Sequence, residues 1–345
     1  MKTLAALLVR TGHPLELAEI ETPVLKPGQV LVRVDLSGVC HTQILEARGH
    51  RGPDPYVPHC LGHEGVGTVL ETGPGVGKVA AGDAVILSWI KGSGADVPGS
   101  VYDWSGRKVN AGAITTFMRQ AVLSENRLTK VPLGLPREQA ALLGCAAPTG
   151  LGVVMNTASP RPGQSLAVLG AGGIGLCAVA GAAASGCAPV IALDVNEEKL
   201  DLARRMGATH TVKADENASQ AVGEICPGGV DFAVEATGRP EVMALALNLV
   251  RNQGGVAVVV GNAPAGQMLG LDPKLFNLGR SLKGTWGGDS QPDRDYPRYA
   301  RMMLAGRLDL SPLLSRTYAL SQINQALDDL EAGRVARPLI DMSRE

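Results

Sequence analysis

Residues 165–175 read SLAVLGAGGIG, followed by the helix-forming run LCAVAGAAASG and, at 190–194, by VIALD. A short, wholly apolar run bounded by glycine suits a strand buried on both faces, as in a parallel sheet. GAGGIG at 170–175 then puts Gly170, Gly172 and Gly175 in the three glycine positions of G-x-G-x-x-G. Glycine-rich turns are common, and alone this pattern is weak. Here it ends a strand, opens an Ala-rich helix and is followed 19 residues after Gly175 by Asp194, the last residue of the next apolar run. That context predicts a dinucleotide-binding βαβ unit.

The residue types suit the ligand. Gly170 and Gly172 let the backbone turn and approach a pyrophosphate, and the helix start at Gly173 and Ile174 offers unpaired N–H groups and the positive end of its dipole. Gly175 lets helix and strand pack closely. Asp194 accepts from the ribose hydroxyls and repels a 2′-phosphate, which favours NAD over NADP. Lys199, one helical turn on, reaches the same ribose. The alternative is a glycine-rich turn that holds no ligand.

Outward from this unit, VDFAVEATG and GGVAVVVGNAP continue the alternation of buried strands and helices. Before it, short β-rich runs broken by Gly, Pro and Asp fill residues 1 to about 135, as in GQVLVRVDLSGV, EGVGTVLETG and GDAVILSW. The opening MKTLAALL reads as a first strand rather than a secretory leader, because its apolar run is short and meets Arg10. The tail LSQINQALDDLEAGRVARPLIDM reads as a helix and a short strand that return to the β-rich part. The expected organisation is α/β, with 149–290 a doubly wound nucleotide-binding domain inserted between 1–148 and 291–345, which form a β-rich domain. A length of 345 residues fits two domains at roughly 150 residues each.

Composition narrows the partners. Lys plus Arg number 32 against 33 for Asp plus Glu, so there is no positive field to gather nucleic acid or an anionic membrane. No run approaches the roughly 18 apolar residues of a membrane helix. Six scattered cysteines do not form a disulfide framework and suit a reducing cytoplasm. A small molecule is the expected partner.

Two further segments carry ligand-type residues: GVCHTQ at 38–43 and GHEGVGTVLETGPGV at 62–76. By residue type alone, Cys40, His63 and Cys145 are either metal ligands or ordinary buried side chains, since they lie far apart and nothing local shows that they meet. The stretch Gly62-His63-Glu64-x2-Gly67-x5-Gly73-x2-Val76, with GVCHT, ALLGCAAPTG, GAGGIG and VARPLI, resembles the zinc-dependent alcohol dehydrogenases of the medium-chain dehydrogenase/reductase superfamily over nearly the whole chain.

The resemblance implies a GroES-like catalytic domain joined to a Rossmann domain, one catalytic zinc and NAD. It assigns Cys40, His63 and Cys145 as zinc ligands, with Glu64 approaching the metal from behind and pairing with Arg337. A surface ion pair is the plain alternative for those two. It gives Thr42, two residues from Cys40 and on the same side of an extended segment, the alcohol proton. His41 and Arg337 meet the pyrophosphate, Thr149 and Val260 line the cofactor site, and Gln43, where many relatives have an aspartate, orients the histidine ligand through its amide oxygen. An alcohol has a pKa of about 16, and zinc as a Lewis acid lowers it toward about 7 so that hydride can leave the carbinol carbon. The zinc is expected in the cleft where alcohol and nicotinamide meet.

The chain departs from many relatives in two places. Leu45 stands where a histidine ends the proton relay, leaving water or His50. The segment WIKGSGADVPGSVYDWSGRKVNAG has none of the four cysteines that hold a second, structural zinc. Trp89, Phe117 and Trp286 fall at substrate-pocket positions, or are core aromatics. The implied activity is interconversion of a primary or secondary alcohol, polyols and sugar-like alcohols included, with its aldehyde or ketone, in a homodimer or homotetramer. The alternatives are a zinc-free NAD(P)H-dependent quinone or enone reductase and a non-catalytic dinucleotide-binding protein.

Overall fold

The computed structural model describes residues 1–345, which divide into two compact units: Met1–Cys145 with Gln291–Leu304 and Leu314–Glu345, and Ala146–Ser290 with Ala305–Leu313. Ala305–Leu313 thus groups with the second unit, although the sequence reading gave all of 291–345 to the first. Leu308, Leu310 and Leu313 are buried, so this segment carries core side chains and is not a free connection.

In the first unit, the strands Lys2–Leu8, Glu16–Glu21, Val101–Trp104, Arg107–Asn110 and His59–Cys60 close a small barrel. A larger sheet is built around the strand Gln29–Gly38, which pairs antiparallel with Glu64–Thr72, Gln120–Ser124 and Leu339–Asp341. The opening residues therefore form a strand, and the tail supplies a helix, Ile323–Glu331, and a strand, as read from the sequence. Their alternating apolar positions fill one core that includes Leu7, Ile20, Val32, Val69 and Ile340.

The cysteine-free segment folds as the hairpin Val101–Trp104 and Arg107–Asn110. Its two-residue turn, Ser105 and Gly106, has φ of 53° and 87°, the primed geometry that matches the twist of tight hairpins. Sheet pairing orders this lobe.

In the second unit, six parallel strands run in the order His210–Lys213, Val190–Asp194, Leu166–Leu169, Phe232–Glu235, Val256–Val259, Ser281–Gly284. This is the doubly wound order whose direction reverses between the third and fourth strands as written, where such sheets bind dinucleotides. Every residue of Leu166–Leu169 and Val190–Asp194 is buried, as their unbroken apolar runs require. No helix of the chain is long and apolar enough to cross a membrane.

Candidate functional site

Three local structures deliver the metal-type side chains. Cys40 is the extended residue that caps the helix His41–Ala47. His63 precedes the strand Glu64–Thr72, and it follows Gly62, whose φ of +92° excludes other residues. Cys145 lies just past the helix Arg137–Leu142. The three bring one ligand atom each to within 4.8 Å of one another.

Both cysteines are 4% exposed, and His63 Nε2 is buried without a hydrogen-bond partner. A buried imidazole nitrogen left unpaired costs free energy unless something binds it. Two sulfurs and one such nitrogen, closed off from solvent, form a donor set that fits zinc with a fourth position open. No other group of three such side chains occurs in the chain.

Behind this trio, Glu64 and Arg337 form an ion pair with two close contacts: Nε donates to Oε1 at 2.6 Å, and Nη2 lies 2.6 Å from Oε2. Glu64, read from the sequence as a metal neighbour, turns both oxygens to Arg337 and lies outside the ligand group. Nor is the pair a surface one. Gly38 and Gly144 make room for it: a Cβ on Gly38 would lie 1.8 Å from Glu64 Oε1, and one on Gly144 2.7 Å from the Glu64 Cβ.

The charges interlock. A hydrogen bond from the Cys145 thiol, aided by Arg337 and His63 against the opposing effect of burial, holds Cys40 well below the usual thiol range. The same bond, then burial and the negative Cys40 sulfur, pushes Cys145 well up. Burial would lower Arg337, but Glu64, Cys40 and Cys145 outweigh it and keep the guanidinium firmly charged.

Thr42 sits in the first turn of the helix, not on an extended segment as the sequence reading had it. The turn starts at Cys40 and brings Cys40 Sγ to 3.8 Å from Thr42 Oγ1. His41 is exposed and Leu45 half-buried on the same helix. Gln43 reaches His63 Nδ1 through its amide nitrogen and not, as the resemblance implies, its oxygen, which is taken by the backbone N–H of Cys40.

A cavity of about 430 Å³ in the first unit touches this centre through Gln43 and His63, and Glu46, Tyr56, His59 and Asn110 also line it. Those four were missed in the sequence. Glu46 stands one helical turn after Gln43, the one spacing signal that linked it to the site. Phe117, read as pocket-lining or core, is wholly buried in the core of the first unit. Trp89 is half-buried, and Trp286, in the second unit, is 77% exposed.

In the second unit the glycines divide the work. Gly170 turns at φ +98°; a Cβ on Gly175 would lie 1.8 Å from the Gly170 carbonyl oxygen; one on Gly172 would meet nothing within 4 Å. Gly172 is thus the open cradle at the N-terminus of the helix Gly173–Ala184, which fits a dinucleotide. Asp194 accepts from Ala171 N at 2.7 Å and Asn196 N at 2.9 Å, so it also braces the turn. Thr149 Oγ1 is buried without a partner, Lys199 is half-buried, and Val260 N donates to Glu235 O.

Residues 173–305 match the model of the zinc-binding dehydrogenases, and 26–133 that of the alcohol dehydrogenase GroES-like domain. The S-(hydroxymethyl)glutathione dehydrogenase of Synechocystis sp. is 34% identical, with 99% of this chain and 100% of the relative aligned. The chain belongs to the zinc-dependent medium-chain alcohol dehydrogenase family.

Its fold agrees. An alcohol dehydrogenase zinc-binding domain protein from Burkholderia ambifaria superposes with a TM-score of 0.92 at 31% identity, over the full length of both chains. Benzyl alcohol dehydrogenase from Acinetobacter calcoaceticus gives 0.91 at 30%, over 99% of this chain and 100% of its own. The GroES-like and nucleotide-binding parts expected from the sequence are both present.

Proposed function

We propose that the chain is a zinc-dependent, NAD-linked alcohol dehydrogenase interconverting a primary or secondary alcohol and its aldehyde or ketone. The observation that carries this reading is the closed trio of Cys40, His63 and Cys145 with its unpartnered His63 nitrogen. Zinc held by these three supplies a Lewis acid that lowers the pKa of an alcohol hydroxyl. NAD supplies the hydride acceptor.

The chain's residues do the rest. Thr42 Oγ1, beside Cys40, takes the hydroxyl proton of the alcohol while releasing its own toward water. Leu45 has no titratable group and takes no part in that transfer. The Glu64–Arg337 pair fixes the start of the strand that follows His63, and so holds the ring in place. Gly172 admits the pyrophosphate, and Asp194 holds the ribose hydroxyls and disfavours a 2′-phosphate. The intact sulfur–nitrogen trio argues against the zinc-free reductase.

The relatives' names suggest where a substrate screen begins, with hydroxymethyl thiol conjugates and benzylic alcohols. Assembly as a homodimer or homotetramer belongs to the same proposal. It is supported by the edge strand Ser281–Gly284 and by the exposed Met268 and Phe276, which precede it in the chain. A cytoplasmic setting suits six unpaired cysteines.

The test is NADH formation by zinc-loaded protein across an alcohol panel, repeated with NADP. Turnover with NAD, and far less with NADP, is expected. No turnover with either, by protein of verified zinc content, contradicts the reading.

A further inference from the structure

Gln43 stands between two groups: the Cys40 N–H, which needs an acceptor, and His63 Nδ1, which needs one only when the ring binds a metal through Nε2. Its Oε1 accepts from the backbone N–H of Cys40 at 2.8 Å, and its Nε2 abuts His63 Nδ1. The side chain is 1% exposed.

With the amide this way round, its N–H donates to Nδ1, and a neutral imidazole then carries its proton on Nε2. A ring protonated on Nε2 has no lone pair there for a metal. Ligation through Nε2 needs the proton on Nδ1, and that proton needs an oxygen to receive it. Turning the amide over provides the oxygen but sets the NH2 group against the Cys40 N–H, donor facing donor. A primary amide has one acceptor atom, placed at one end of the group. As seated here, Gln43 serves one partner or the other.

We propose that Gln43 is a positioning residue through which metal binding by His63 competes with the hydrogen bond that caps the helix His41–Ala47. This rests on the zinc reading above. Metal-free, the amide oxygen holds Cys40 N and the first turn of the helix; on metal binding it turns to His63 Nδ1–H and releases that turn. The turn carries His41 and Thr42, so metal occupancy and the seating of the proton-accepting hydroxyl are coupled. Glutamate, equal in length but with two acceptor oxygens, serves Cys40 N and His63 Nδ1–H together and removes the competition.

The experiment compares wild type and Gln43→Glu in two measurements. Competition with a chromogenic chelator gives the zinc dissociation constant. NMR of the wild type with and without zinc follows the His63 ring nitrogens and the exchange rate of the Cys40 amide. The expected results are zinc binding about tenfold or more tighter in Gln43→Glu, and a His63 proton that moves from Nε2 to Nδ1 when the wild type takes up zinc. The Cys40 amide also exchanges faster in zinc-loaded than in zinc-free wild type, yet stays protected in zinc-loaded Gln43→Glu, which added negative charge alone would not produce.

Zinc bound by the wild type with no gain in a folded Gln43→Glu overturns the inference and leaves the zinc reading standing. So does a Cys40 amide equally protected in both wild-type states, a result that needs no variant. Failure of both proteins to bind zinc overturns the zinc reading itself.

Discussion

Arg337 and Glu64 meet in a buried pair whose two contacts are both 2.6 Å, with side chains 3% and 0% exposed. They lie 273 positions apart, so this pair ties the chain's tail to the loop that carries His63. Removing one partner strands a buried charge. Arg337→Met is therefore expected to destabilise the protein by about 3–5 kcal/mol. The double variant with Glu64→Gln should recover part of that loss, because it leaves no charge behind. Unfolding midpoints of the single and double variants check this, and strictly additive losses would contradict it.

Gly172 and Gly175 separate binding from folding. A Cβ at 172 meets open space, whereas one at 175 lies 1.8 Å from a carbonyl oxygen. Gly172→Ala should melt with the wild type but bind NAD about tenfold or more weakly. Gly175→Ala should lose about 1–3 kcal/mol or more of stability. Calorimetry with NAD titration distinguishes them, and equal behaviour would argue against a nucleotide at Gly172.

Asp194 is expected to matter to cofactor choice. Asp194→Ala removes an acceptor for the ribose hydroxyls and should raise the KM for NAD about 10- to 150-fold, from about 1.5–3 kcal/mol of charged hydrogen bonding. Because it also loses its bonds to Ala171 N and Asn196 N, the variant should melt earlier as well. An unchanged KM would remove Asp194 from the cofactor site.

The cysteines should differ in reactivity. Burial pushes Cys60 up to about 12 and Cys187 up to about 11, so both remain protonated at neutral pH. Cys40 is held low by its neighbours, and the thiolate is the reactive form. Alkylation of chelator-treated protein should therefore mark Cys40 first, and zinc should protect it. Zinc affinity should rise with pH, because Cys145, pushed up, must lose its proton to bind metal. Mass spectrometry of labelled peptides reads the first effect, and labelling of Cys60 ahead of Cys40 would contradict it.

How much of this was legible in the sequence depended on distance along the chain. The nucleotide turn was readable because Leu166 to Asp194 is one continuous strand, turn, helix and strand, so each residue's neighbour confirms it. The metal trio was not: Cys40, His63 and Cys145 meet only through tertiary folding, and a resemblance rather than spacing joined them. Thr42 was placed on an extended segment because Cys40 is extended, but the helix begins at the next residue. For Phe117 the sequence offers pocket and core alike, because an aromatic at a pocket position and one in a barrel core look the same in a sequence, and the structure puts it in the core. The Gln43 conflict lies in the direction of one amide group, which no sequence pattern encodes.

The central claim is that Cys40, His63 and Cys145 form a zinc centre, and elemental analysis of protein purified without chelators tests it most directly. The account predicts about one zinc per chain, lost in a folded His63→Ala variant. Zinc near zero in protein that has been offered the metal, or an equal zinc content in that variant, would contradict it.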